Sequence, residues 1–129
     1  MKKLCAIFWT LVLVGIPFSG QLEAKRKAPE EVKPLIWNGI KYTAPHFLML
    51  EGKEQNGGYI EAWDVKTNKK LWELKVYDVK YNPKYERDIQ DNFIVSIEID
   101  QNKNRLIIKN ERHQVFEVDL KTRKISEKK

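Results

Sequence analysis

An antiparallel all-β fold is predicted for this chain of 129 residues, and three observations predict it. Apolar residues recur at every second position in several short runs. Clusters of Asn, Asp, Gly and Lys-Thr separate those runs at close intervals. No long stretch carries the 3.6-residue apolar period of a helix, and Val, Ile and the aromatic residues concentrate inside the runs, as strands favour.

The first element is of another kind. Met1-Lys2-Lys3 precedes an apolar run from Leu4 to Phe18, followed by Ser19-Gly20-Gln21-Leu22-Glu23-Ala24. A basic start, an apolar stretch and a small closing residue are the parts of a secretory signal. A membrane-spanning helix needs roughly 20 apolar residues, and Pro17 interrupts the run near its end. The expectation is a signal-peptide helix over residues 1–24, cut after Ala24. The product would be exported, periplasmic or extracellular, with no membrane span after cleavage.

Cys5, the only cysteine, falls in this segment. Residues 25–129 therefore hold no disulfide, thiolate zinc site or cysteine nucleophile. Of the 24 basic and 18 acidic residues, Lys2, Lys3 and Glu23 lie in the first 24, leaving 22 and 17, a net charge of +5. The signs alternate along most of the chain, which reads as a solvated surface, and no nucleic-acid partner is expected.

Residues 25–34 are charged, carry Pro29 and Pro34, and read as a flexible leader. The all-β domain is placed at 35–126, with a tail at 127–129. It opens with Leu35-Ile36-Trp37-Asn38-Gly39-Ile40-Lys41-Tyr42, where Asn-Gly between apolar flanks signals a type I′ hairpin. Leu35, Trp37, Ile40 and Tyr42 then share a face. Phe47 to Leu50 reads as a short strand and Glu51 to Gly58 as a polar loop. Tyr59 to Val65 and Leu71 to Tyr77 form the next pair, Trp72, Leu74 and Val76 alternating with Glu73 and Lys75.

Asp78 to Asn92 lacks strand character and holds a possible helical turn over Pro83–Ile89. Phe93, Val95, Ile97 and Ile99 alternate. Runs at Arg105–Lys109, Gln114–Leu120 and Arg123–Ser126 complete eight or nine strands.

One element recurs. Ile60-Glu61-Ala62-Trp63-Asp64-Val65-Lys66-Thr67-Asn68-Lys69 is echoed 55 positions on by Val115-Phe116-Glu117-Val118-Asp119-Leu120-Lys121-Thr122-Arg123-Lys124. Asp64 and Asp119 end strands, and their carboxylates suit the backbone N–H groups of the following turn, as do Thr67 and Thr122. Two such hairpins suggest a duplicated sheet.

The first copy, Ala62-x-Asp64-x-x-Thr67-Asn68-x-x-x-Trp72, resembles the blade motif of pyrroloquinoline-quinone-type β-propellers, with Asn68 in place of the turn glycine. The second copy lacks the Ala, and Ser126 or Glu127 stands where the Trp would be. The resemblance implies two propeller-blade-like sheets, with Trp72 packed between neighbours. Two blades cannot close a propeller, which takes about four to eight. The sheets are therefore expected to pack as a sandwich or partly open barrel, or several chains to assemble. The acids that hold the quinone in that family have no counterpart, and no cofactor is expected. More broadly the chain resembles small exported bacterial proteins.

Chemistry-bearing residues are sparse. His46 and His113 are the only histidines, too far apart in sequence for a local zinc pattern, and each reads as a surface or edge residue. Glu86, Asp88 and Asp91 bunch in the longest loop without a calcium-loop spacing and read as a solvated, helix-capping group. Trp63 and Tyr77 fall out of phase with the apolar positions of their strands. With Tyr59 they are the candidate partner-binding aromatics, unless a second layer covers them.

The expected function is a non-catalytic exported module that binds a protein or an envelope component. The alternative is a self-assembling, propeller-like homo-oligomer. A hydrolase using His46 or His113 with Glu86 or Asp88 comes third.

Overall fold

Asn38 and Gly39 both take positive φ, 50° and 74°, so the chain reverses over these two residues alone. The computed structural model describes residues 26–129, so the expected signal peptide lies outside the described residues. The reversal joins β1 (Leu35–Trp37) to β2 (Ile40–Thr43), with Leu35 opposite Tyr42 and Trp37 opposite Ile40. β3 (Tyr59–Asp64) and β4 (Lys70–Lys75) complete an antiparallel sheet in the order β1-β2-β3-β4. β5 (Ile94–Asp100), β6 (Arg105–Asn110), β7 (Val115–Asp119) and β8 (Ile125–Lys128) make a second meander in the order β5-β6-β7-β8.

The two sheets face each other as a sandwich. Tyr42, Ile60 and Ala62 from the first meet Ile97, Leu106, Ile108 and Val118 from the second in one dry cluster. Tyr77, just past β4, stacks on Phe116 at 5.2 Å between ring centres. The all-β, antiparallel, two-sheet architecture is thus as the alternation predicts.

Three local expectations are corrected. Phe47 to Leu50 is not a strand: Leu48–Glu51 is a 3₁₀ turn, closed by Gly52 at φ 89° and held by Met49 N–H donating to Asn56 Oδ1 at 3.0 Å. Leu48 is buried while Leu50 is 89% exposed. Pro83 lies outside the short helical turn of its loop, which spans Asp88–Gln90. In β5 the alternation breaks, because the register shifts between Ile94 and Ser96. That bulge turns Ile94 inward and leaves Val95 43% exposed.

The final strand runs past the expected end at 126, to Lys128. Residues 26–34 have no regular structure, yet they are tied down. Arg26 pairs with Glu111 and donates to the Asp91 carbonyl at 3.1 Å, and Val32 packs on the core.

The repeat is structural as well as sequential. Asp64 Oδ1 accepts the N–H groups of Lys66 and Thr67 at 2.8 and 3.2 Å; Asp119 Oδ1 accepts those of Lys121 and Thr122 at 2.8 and 3.0 Å. Asn68 and Arg123 close the two turns at φ 57° and 60°. The next N–H along, Val65 or Leu120, donates to the preceding hairpin at Gly39 or Asn104. Ile40 opposite Asp64 therefore corresponds to Arg105 opposite Asp119.

The faces, however, are exchanged. Ile60, Ala62, Ile40 and Tyr42 point into the core, whereas their counterparts Val115, Glu117, Arg105 and Ile107 point away from it. Phe116, Val118, Leu106 and Ile108 point in instead. The sheets stack front to back, not front to front.

Candidate functional site

The outward face of the first sheet carries one continuous cross-strand row. Ile36 lies opposite Lys41, Lys41 opposite Trp63 and Trp63 opposite Lys70. These positions alternate with core-facing neighbours, so the period of two places all four side chains on one side. Ile36 is 62% exposed and Trp63 half-buried. The Lys41 and Lys70 ammonium groups stand 6.0 and 5.6 Å from the Trp63 ring centre, within reach of its negative face.

Trp63 faces Lys70 because β4 bulges: Ala62 pairs with Trp72 but Trp63 pairs with Lys70, so Leu71 is skipped and left half in water. Lys70 also reaches Glu61 at 3.1 Å and Glu73 at 3.2 Å, and the bond to Glu61 is the larger cause holding its ammonium above the ordinary lysine range. The adjoining turn adds Lys66 and Lys69, both exposed. The result is an indole under two ammonium groups, with two more lysines in the next turn and an exposed isoleucine at the far end of the row, beyond Lys41.

The other two candidate aromatics are placed differently. Tyr59 is buried on the same face with Lys53 over its ring at 5.7 Å. Tyr77 turns inward, stacked on Phe116, its hydroxyl donating to the Asn92 carbonyl at 2.6 Å, and burial pushes its phenol above the usual tyrosine range. The three aromatics do not share an open surface. Of the motif residues, Ala62 lies fully buried opposite Trp72. Trp72 sits between the sheets, 6.0 Å from the Tyr42 ring and with the Arg123 guanidinium of the second sheet 5.0 Å over it. Asp64 and Asp119 serve their turns as described; the backbone N–H of Thr122, then that of Lys121, holds the Asp119 carboxyl below the usual range.

On the opposite side of the molecule, the outward face of the second sheet bears a groove of about 340 Å³. It is lined by Arg105, Glu117, Asp119, Thr122, Lys124, Ile125 and Ser126. Arg105 donates to Glu117 at 3.0 Å, the leading cause of that carboxyl's lowered pKa.

His46 corrects the expectation of a surface residue. It is 1% exposed and stacked on Phe93 at 4.3 Å, with Nε2 unpartnered; burial lowers its pKa against the opposing effect of Glu31, whose Oε1 accepts the His46 backbone N–H at 3.2 Å. His113 is exposed, in the turn before β7 at φ 63°.

The acidic loop residues also separate. Glu86 is exposed, whereas Asp91 is buried, accepting from the Tyr81 hydroxyl and from Asn56 Nδ2. Desolvation first, then the bond to Asp91, leaves Tyr81 pushed up to about 12. Sequence reasoning missed this network, and missed Gln55, whose Nε2 donates to the Gly57 and Tyr77 carbonyls while its Oε1 accepts from Val79. The glycine pair at 57–58 beside Gln55 was the one available signal. Among the described residues no group of three His, Cys, Asp or Glu is placed to hold a metal ion.

Comparison with protein-family models, with curated proteins and with solved structures finds no match.

Proposed function

We propose that this protein is an exported, non-catalytic binding module that docks the acidic face of a protein partner on the outward face of its first sheet. The row Ile36–Lys41–Trp63–Lys70 carries this reading. Tryptophan is among the residues enriched at interface hot spots, because it brings a large rigid apolar area at little entropic cost. Lys41 and Lys70 over its ring, with Lys66 and Lys69 in the next turn, favour carboxylates opposite and speed their encounter. The signal-like segment before residue 25 supports export. The sparse acid–base chemistry elsewhere leaves binding as the better-supported activity.

The test is capture from envelope extracts on the immobilised chain from residue 25 onward. Trp63→Ala should lower recovery of the captured partner, Lys41→Glu should lower it further, and Lys109→Ala on the opposite face should leave it unchanged. Equal capture by the Trp63→Ala chain defeats the proposal. Binding that survives protease treatment of the extract shifts it to an envelope polymer.

A further inference from the structure

We propose that the partner of this face is a second copy of the chain: the outward face of the first sheet seats on the outward face of the second sheet of the next copy, head to tail. This rests on the reading of the Trp63 row as a docking surface.

The molecule holds one example of the contact. Within the chain, the face of the first sheet that bears Ile60 and Ala62 meets the face of the second that bears Phe116 and Val118, whose counterparts are Glu61 and Trp63. The two surfaces left outside are the Trp63 face and the face bearing Val115 and Glu117. They are the same two kinds of face, so placing one on the other repeats the internal relation.

Inside the chain, Arg123 of the second turn caps Trp72. Ala62 opposite Trp72 corresponds to Glu117 opposite Ser126, so a serine stands where the indole would fill the space, and there the groove opens. The incoming turn, Lys66-Thr67-Asn68-Lys69, has Asn68 in the place of Arg123 and the same left-handed backbone. It fits where Arg123 fits internally, with added room.

The charges of the incoming turn and the receiving groove are opposite in sign. On the receiving face, Asp100, Arg105 and Asp119 form one row and Glu98, Ile107, Glu117 and Ser126 the next. Four carboxylates stand in these two rows, with Arg105 bonded to Glu117 and Lys124 at the groove rim. Lys109 and Lys128 lie at the far end of the sheet, where Lys128 also reaches Glu117 at 3.5 Å. The incoming end carries Lys41 and Lys70 over Trp63 and Lys66 and Lys69 in the adjoining turn, Lys70 being shared with Glu61 and Glu73 of the neighbouring row, and Ile107 offers the indole an apolar seat. The internal contact is apolar; this external one is ionic around a small apolar centre, hence reversible and weakened by salt.

A head-to-tail contact uses two different surfaces, which gives it a sharp signature. Sedimentation of the wild-type chain should show average mass rising with concentration up to about 1 mM, less so in high salt. Trp63→Glu blocks one surface and Ser126→Arg the other; each variant alone should stay monomeric with wild-type dichroism, and an equimolar mixture should form a 1:1 dimer. A wild-type chain monomeric throughout, or a mixture that stays monomeric, overturns self-assembly. If Trp63→Glu nonetheless abolishes capture from extracts, the docking face stands with another partner. If it leaves capture unchanged, the docking face falls as well.

Discussion

Residues 94 and 95 separate two accounts of the second sheet. Strict alternation through Phe93, Val95, Ile97 and Ile99 would bury Val95 and expose Ile94; the bulge does the reverse, with Ile94 1% exposed and Val95 43%. Ile94→Ala removes three buried carbons, about 2.4 kcal/mol at about 0.8 per methylene. The unfilled cavity raises this to about 3–4 kcal/mol, inside the usual range for such truncations. With a urea slope of about 1.5 kcal/mol/M, the midpoint falls by about 2 M.

Ile94→Val, which costs about 0.5–1.5 kcal/mol, keeps the comparison measurable if the alanine variant barely folds. Val95→Thr places its hydroxyl in water and should stay within about 0.5 kcal/mol. Under strict alternation it would instead bury an unpaired hydroxyl at about 1–3 kcal/mol. Equilibrium urea unfolding of the three variants decides. A Val95→Thr loss equal to or above that of Ile94→Val refutes the bulge.

Leu48→Ala should cost about 2–5 kcal/mol and Leu50→Lys stay within about 0.5, since only Leu48 is buried in the 3₁₀ turn; matched thermal melts check this. Gly58→Ala should destabilise far more than Gly39→Ala in urea. A Cβ at Gly58 meets Gln55 Nε2 at 2.6 Å and the Tyr77 carbonyl oxygen at 3.0 Å, whereas at Gly39 it meets nothing and only the positive φ, about 1–2 kcal/mol, is felt. His46 is held below its unfolded value of about 6.5, so the unfolded chain binds the proton more readily. Its contribution is complete above pH about 6.5 and declines as pH falls below that. The urea midpoint should drop between pH 7 and 5, and His46→Phe should flatten that drop.

Where structure follows from neighbours in sequence, the sequence announces it. Asn38-Gly39 specifies its hairpin, the paired Asp-x-Lys-Thr turns specify theirs, and Trp72, Leu74 and Val76 point inward as their spacing requires. The parity that set Trp63 against Ile60 and Ala62 marked that one residue of the outward row, while the same argument misplaced Tyr77, which turns inward onto Phe116. What stayed hidden depends on distant partners. Phe93 is held outside the β5 ladder because its N–H donates to Glu111 Oε2 and its carbonyl accepts the Glu111 N–H. The strand therefore starts one residue late, and its apparent alternation misleads.

His46 is buried by that same Phe93, almost fifty positions along the chain, and no local pattern marks such a pairing. The groove at Ser126 was equally invisible, since it needs both the repeat and the exchange of faces.

Every ladder among the described residues joins strands adjacent in sequence, so each sheet is a self-contained half of the domain. The halves differ in one respect. The β6–β7 reversal spans residues 111–114, whereas β2 reaches β3 only across residues 44–58. Loop-closure entropy grows with the logarithm of length, which sets the longer closure about 1 kcal/mol behind the shorter. The C-terminal meander is therefore expected to close first and to offer the earlier half a ready-made wall to condense upon. Stopped-flow kinetics should register this as slowed folding for Leu106→Val, against chiefly accelerated unfolding for Ile60→Val.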